Sequence, residues 1–215
     1  MEYCCDVDIG HPWILKDFNY FKKLTYNPKI DGHFQIDLED LTEDFKTWAD
    51  SIGCKISFVE LFYRPPNYTC EIHADVITES SNAAKLNWVY HIKADDELMN
   101  IIEPADVKST MVWYESTTQF NRKNYPNPLG KIYTLPKDES LCQAVYSHEI
   151  KTPSLVNVSK LHNIVNPTNY QRWCISIVFL DPSPSGSNWF ARLNNRLNYD
   201  KFKEILTPWV IKKDT

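Results

Sequence analysis

Apolar residues recur at helical intervals in the first quarter of the chain and again near its end. The clearest pattern spans residues 38–51, where apolar positions lie three and four residues apart among charged ones. Gly53 follows and is typical of a helix end. Weaker patterns predict short helices over residues 12–24 and 200–206. The apolar positions of the clearest pattern are Leu41, Phe45 and Trp48.

Between these segments the apolar period changes to two residues, which is typical of β-strands. Turn-forming segments rich in Pro, Asn, Ser and Asp separate the strands. The predicted strands span residues 55–63, 70–77, 85–92, 109–115, 143–148, 154–158, 162–166 and 172–180.

This order of elements favours a mainly β fold, a double-stranded β-helix (jelly roll, cupin-like) with a few flanking α-helices. We expect a single domain over residues 1–215, with a helical N-terminal region over about 1–53 and a β-helix core over about 55–180. Residues 181–215 would form a C-terminal extension with the last short helix. Residues 116–139 form a long insertion without a periodic pattern. Such loops commonly surround binding sites, so we expect this one to border the pocket and to be mobile without substrate.

Composition and charge exclude several classes of protein. Hydrophobic residues make up 43% of the chain and aromatic residues 13%, which is ample for a packed core. No apolar run is long enough for a transmembrane helix, and the first residues lack a secretory signal. The net charge of −5, without any Lys/Arg block, disfavours nucleic-acid binding. The six cysteines lack zinc-type spacing, which indicates reduced thiols and a cytoplasmic protein. We expect no membrane partner, and the oligomeric state stays open.

His73 and Asp75 are the centre of the candidate chemistry. On a strand, residues i and i+2 point to the same face, so this imidazole and this carboxylate lie side by side. Two histidines and one carboxylate form the facial triad that suits Fe(II) oxygen chemistry. The His-x-Asp motif is common by chance, and the interpretation therefore needs a second histidine.

His162 is the preferred third ligand, because Arg172 follows it by ten residues across the turn at 166–169. This order predicts that Arg172 lies on the strand next to His162, where a buried guanidinium can bind a carboxylate through two parallel hydrogen bonds. The other histidines lack an arginine at this spacing or lie in the N-terminal region. They are His91, His148, His33 and His11.

The strand that begins at Arg172 has two unlike faces. One face carries bulky apolar side chains, and the other carries smaller ones that leave room for a small dicarboxylate beside the arginine. The bulky face consists of Trp173, Ile175, Ile177 and Phe179, and the other of Arg172, Cys174, Ser176 and Val178.

His-x-Asp, a distant histidine and an arginine about ten residues beyond it resemble the Fe(II)/2-oxoglutarate-dependent oxygenase superfamily. Three further runs, residues 86–88, 111–115 and 155–157, resemble small uncharacterised oxygenases encoded by marine bacteriophages. The chain is more distantly similar to aspartyl/asparaginyl hydroxylases. The resemblance covers roughly residues 55–180, and it implies the cytoplasm, in this case that of a phage host.

The resemblance implies that His73, Asp75 and His162 are the catalytic ligands of Fe(II), and that Arg172 binds the far carboxylate of the cosubstrate 2-oxoglutarate. Together with O2, this cosubstrate would serve to hydroxylate an amino acid, a protein residue or a small metabolite. Tyr63 and Asn87 are candidates for further cosubstrate contacts. The alternative for Tyr63 is a rim or core tyrosine, and the alternative for Asn87 is a purely structural hydrogen bond.

Cys174 departs from the Ser or Thr that such enzymes often have two residues after the arginine. A thiol is a weak donor, and Ser176 is the alternative donor. The competing function is a non-catalytic jelly-roll module, either a binding domain or a viral structural domain. In that case His73 and Asp75 would be incidental.

Overall fold

The structure is a computed structural model. It describes residues 2–10, 31–75, 83–93, 101–102, 109–124, 132–151, 153–180 and 197–212. The helix predicted at 12–24 lies outside these residues. No helix in the described part of the chain is long and apolar enough to cross a membrane.

Two antiparallel sheets dominate the fold. The strands of the larger sheet are β1 (Cys4–Asp6), β2 (Gly32–Ile36), β3 (Lys55–Arg64), β5 (Ala84–Lys93), β6 (Ile101–Ile102), β11 (Ser154–Asn157) and β13 (Tyr170–Leu180). Those of the smaller sheet are β4 (Tyr68–Thr69), β7 (Thr110–Ser116), β10 (Cys142–Glu149) and β12 (His162–Asn166). The strand orders are β1-β11-β5-β13-β3-β2, with β6 beside β5, and β10-β7-β12-β4.

The connections identify a jelly roll. Apart from β6, which stays beside β5, successive strands alternate between the two sheets from β3 to β7. They alternate again from β10 to β13. The four-stranded set β3-β13-β5-β11 is therefore matched by the set β4-β12-β7-β10. The predicted mainly β jelly roll is confirmed.

Two regions that were predicted to be helical or irregular also contain strands. In the N-terminal region, β1 pairs with β11 and β2 pairs with β3, so both extend the larger sheet. The insertion contains a hairpin of β8 (Phe120–Asn124) and β9 (Ile132–Pro136). These strands are short and gain their hydrogen bonds from partners that local sequence patterns do not reveal.

Helix α1 (Glu43–Ser51) begins later than predicted, because the hydroxyl of Thr42 accepts a hydrogen bond from the amide of Phe45 at 3.2 Å. Residues Leu38–Asp40 form a separate 3-10 turn. At the other end Gly53 has a φ of 69°. Its amide and that of Cys54 donate to Asp50 and Ala49 at 2.9 and 3.0 Å, which is a Schellman motif.

The main apolar core lies on the face of the larger sheet that points away from the smaller sheet. The bulky face of β13 packs there beneath α1 and α2 (Tyr199–Leu206), as the sequence predicts. Phe45 of α1 meets Trp88 edge-on at 5.4 Å, and Phe202 of α2 meets Phe179 at 4.8 Å. Because this core stabilises the sheet from outside, the space between the sheets can hold polar groups.

Replacing Gly53 by alanine tests the helix end. A Cβ there would meet no atom within 4 Å, so the cost comes only from the left-handed backbone, roughly 1–2 kcal/mol in the free energy of unfolding. Gly53→Asn should cost less, since asparagine tolerates this conformation. Gly10→Ala is the matched control, because its Cβ also meets nothing and its φ is not left-handed. Urea denaturation measures all three; equal stability of Gly53→Ala and Gly10→Ala would contradict the assignment.

Candidate metal centre

His73 and His162 are held opposite each other by the backbone. The amide of each donates to the carbonyl of the other, at 2.9 and 2.7 Å, and the imidazole centroids lie 4.6 Å apart. Ala74 makes the corresponding pair of bonds to Thr134 on its other side. Extended backbone at 73–75 thus places His73 and Asp75 on one face, next to His162.

Residues 70–75, the described part of the strand predicted at 70–77, do not form a continuous strand. Regular pairing ends at β4, where Thr69 faces Val165 of β12, and resumes as an isolated bridge between His73 and His162. Between these two pairs the first segment advances by four residues, from 69 to 73, while β12 advances by only three, from 165 to 162. This offset is that of a β-bulge, a feature that commonly re-aims side chains beside functional sites.

Backbone carbonyls fix the orientation of both imidazoles. The Nδ1 atoms of His73 and His162 lie 2.8 Å from the carbonyl oxygens of Glu71 and Lys160. A carbonyl can only accept a hydrogen bond, so Nδ1 carries the proton in each ring. The Nε2 atom of each neutral ring then presents a lone pair, which is the state that binds a metal ion.

Asp75 completes a set of three potential metal ligands. Its Oδ1 lies 3.5 Å from Nε2 of His73. One ligand atom from each of His73, Asp75 and His162 lies within 4.8 Å of the others. Two imidazole nitrogens and one carboxylate oxygen at this spacing fit a divalent transition metal.

The pKa values of the two imidazoles are shifted in opposite directions. Burial lowers the pKa of His162 to about 3, and the neighbouring His73 acts in the same direction. Burial alone would lower the pKa of His73 too, but its hydrogen bond to Cys70 and the charge of Asp75 raise it above the usual value. His162 is therefore neutral and ready to bind metal across the physiological range.

Lys85 and Glu60 form a buried charge network behind Asp75, and sequence reasoning missed both. The ammonium of Lys85 donates to Oδ2 of Asp75 and lies 3.3 Å from Oε2 of Glu60. Glu60 also bonds His33, whose Nε2 lies 2.6 Å from Oε1. Burial alone would lower the pKa of Lys85, but the two carboxylates raise it, so the lysine stays charged. The available signal was a charged residue beside apolar ones in a predicted strand, Glu60 between Val59 and Leu61 and Lys85 next to Leu86.

One cavity lies between the two sheets and contains the three potential ligands. The empty space inside it, including the open mouth, is about 500 Å³. Its lining residues come from both sheets, from the 73–75 segment and from β9. They are Phe62, Arg64, His73, Asp75, Lys85, Asn87, Met111, Tyr133, Val158, His162, Ile164, Arg172, Cys174 and Ser176.

Arg172 lines this cavity and is only 2% exposed. Its Nε donates to the hydroxyl of Ser109 at 3.2 Å, and no carboxylate of the described residues pairs with it. The prediction that its strand neighbours that of His162 is wrong. The turn after β12 carries the chain into the other sheet, where β13 pairs with β3 and β5. Arg172 therefore faces the smaller sheet across the cavity.

The remaining predicted site residues divide between the two faces of the larger sheet. Asn87 lines the cavity, and its Oδ1 accepts a hydrogen bond from Ser176 at 2.7 Å. Cys174 lines it too, and burial raises the pKa of this thiol. Tyr63 does not line it. Tyr63 lies opposite Trp173, with ring centroids 4.7 Å apart, on the face that packs into the outer core. The prediction that Tyr63 contacts the cosubstrate is therefore wrong.

The alternative histidines lie outside the ligand cluster. His148 bonds Asp6 at 2.7 Å, and His33 bonds Glu60. His91 lies beside Arg172, where Ser109 links the two side chains, and burial lowers the pKa of His91 to about 3. His11 is not among the described residues.

The insertion borders the cavity, as predicted. Tyr133 of β9 contributes to the lining, and its ring meets that of His73 edge-on at 5.1 Å. Residues 125–131 lie outside the described part of the chain.

No family model and no curated protein sequence matches the chain. Among solved structures, oxalate oxidase in complex with the substrate analogue glycolate is similar over 86% of this chain and 77% of its own, with 10% identity and a TM-score of 0.30. A second structure, from work on the mechanism of oxalate oxidase, has 9% identity over the same shares and a TM-score of 0.30. The fold assignment given above comes from the sheets themselves.

Lys85→Met tests the buried charge network. Asp75 and Glu60 would lose their shared cation in a buried setting, which should cost about 3–5 kcal/mol of unfolding free energy. The double variant Lys85→Met/Glu60→Gln should recover part of this loss, because one uncompensated charge is removed. Urea denaturation of metal-free protein is the measurement. A loss below about 1 kcal/mol, as for an exposed ion pair, would contradict the network.

Proposed function

We propose that the protein is an Fe(II)- and 2-oxoglutarate-dependent dioxygenase that hydroxylates an amino acid, a protein residue or a small metabolite. One observation carries the proposal: the ligand cluster and a buried arginine that pairs with no carboxylate of the described residues open into the same cavity. A cation in such a place is costly unless an anion joins it. A 2-oxo dicarboxylate satisfies both features, since one end can chelate a metal while the other reaches the guanidinium.

In this proposal His73, Asp75 and His162 hold the metal through their two Nε2 atoms and one carboxylate oxygen. Bound Fe(II), with 2-oxoglutarate and O2, supplies the oxidising chemistry that the side chains lack. Each turnover would convert 2-oxoglutarate, O2 and one substrate C–H bond into succinate, carbon dioxide and one C–OH group.

The protein's own groups orient the reactants. The carbonyls of Glu71 and Lys160 keep both imidazoles in the ligating tautomer, and Lys85 holds one oxygen of Asp75. Ser109 accepts a hydrogen bond from Nε of Arg172, and the thiol of Cys174 also bonds the guanidinium. A guanidinium has five N–H donors, so further donors are available for a carboxylate. Asn87 and Ser176 supply neutral polar groups on the cavity wall.

Alanine substitution of each proposed ligand tests the metal site. His73→Ala, Asp75→Ala and His162→Ala should each weaken Fe(II) binding more than about 100-fold, since loss of outer contacts alone can cost 10–100-fold. Anaerobic calorimetric titration measures the affinity, with circular dichroism as the check on folding. His148→Ala is the control and should bind normally, because His148 pairs with Asp6 away from the cluster. Full affinity in His162→Ala would rule out this set of ligands.

Substitution of Arg172 separates an oxygenase from a mere metal binder. Arg172→Ala should keep iron but lose 2-oxoglutarate, because removal of one partner of a buried charge pair costs roughly 3–5 kcal/mol, several hundredfold or more in affinity. Arg172→Lys should recover only part, since an ammonium cannot reproduce the planar fork. The assay is uncoupled succinate formation against 2-oxoglutarate concentration. An unchanged concentration dependence in Arg172→Ala would show that the cosubstrate is wrong.

A further inference from the structure

Arg64 lies directly opposite Arg172 on the neighbouring strand. The two residues are register partners in the β3–β13 pair, so their side chains leave the same face of the larger sheet, and both line the cavity. Like charges directly opposite each other destabilise a sheet. The proximity of Arg64 also helps burial to lower the pKa of Arg172. Two guanidiniums in this arrangement therefore need a compensating anion.

The present contacts of Arg64 hold its guanidinium in place but leave donors to spare. Its terminal nitrogen donates to the carbonyl of Tyr63 at 2.9 Å, and the rings of Phe62 and Tyr68 each lie 5.5 Å from its central carbon. Its Nε is buried and makes no hydrogen bond to the described residues. Arginine carries five N–H donors, so further hydrogen bonds are available to a ligand.

The charges around the cavity do not balance at this end. Lys85 is matched by Asp75 and Glu60. Among the described residues Arg64 pairs only with Asp31, whose carboxylate lies 3.5 Å away and is 53% exposed, and such pairs contribute little. Arg172 has no carboxylate partner in the described part of the chain. The Arg64–Arg172 end therefore carries excess positive charge inside the protein.

We infer that Arg64 is a second anion-binding residue: Arg64 and Arg172 together bind the distal carboxylate of a 2-oxo dicarboxylate, and the pair selects such acids against 2-oxo acids with one carboxylate. The inference rests on the proposed function and adds a residue that determines cosubstrate specificity. A carboxylate has two oxygens with about four lone-pair sites, so it can accept from two guanidiniums at once.

The test compares 2-oxoglutarate with pyruvate, which keeps the 2-oxo acid end but lacks the distal carboxylate. Both are titrated anaerobically into Fe(II)-loaded wild type and variants. Arg64→Gln should lose about tenfold or more in affinity for 2-oxoglutarate, the size expected for a hydrogen bond to a charged group. Its affinities for pyruvate and for Fe(II) should not change. Arg64→Lys should lie between Arg64→Gln and wild type.

Lys46→Gln is the matched control, because it removes one positive charge from α1, which packs on the opposite face of the sheet. It should leave both affinities unchanged. Equal 2-oxoglutarate affinity in wild type and Arg64→Gln would overturn the inference and leave the proposed function standing. So would an equal loss for both acids, which would indicate general damage to the site.

The wild-type titrations alone test the proposed function. If the wild type does not prefer 2-oxoglutarate to pyruvate, the proposed function fails. If circular dichroism shows that Arg64→Gln does not fold, Arg64→Lys decides. A reduced preference for 2-oxoglutarate in Arg64→Lys supports the inference, and a wild-type preference overturns it.

Discussion

Two backbone hydrogen bonds between His73 and His162 set the geometry on which the candidate centre depends. They belong to the pairing of the smaller sheet, so the spacing of the two imidazoles is as rigid as that pairing. A slip of one residue would turn a histidine to the other face of its strand. The bulge between Thr69 and His73 gives the required register, and carbonyls two residues before each histidine set the tautomers. The main chain therefore sets both the spacing of the two imidazoles and the ring nitrogen that carries the proton.

The inner face of the larger sheet holds an unusual number of charged groups for a buried surface. Lys85 is stabilised by two carboxylates, and this arrangement keeps one oxygen of Asp75 in place. Arg64 and Arg172 have no comparable compensation from the residues that the structure describes. A buried uncompensated charge costs stability in the ligand-free protein, and functional sites commonly carry such a cost. An anion at this end would remove this cost, so binding of the proposed cosubstrate would stabilise the fold.

Apolar packing on the outer face of β13 offsets the cost of the charges on its inner face. Its bulky residues pack beneath α1 and α2 with Trp88, Phe45 and Phe202, so apolar burial on the outer face stabilises the sheet. The inner face carries Arg172, Cys174 and Ser176 and leaves space for a ligand. The same alternation of side chains along one strand therefore supplies both the core and the cavity wall.

The sequence alone determined what local periodicity controls: the helices around 38–51 and 200–206, most strands of the jelly roll, the two faces of β13, and the side-by-side placement of His73 and Asp75. Tertiary structure decided what depends on register between distant strands. It brought His162 opposite His73, moved Arg172 to the facing sheet, turned Tyr63 into the outer core and joined Lys85 to Asp75. The period of a strand fixes which residues share a face, but only sheet pairing decides which face meets the cavity and which charges meet across it.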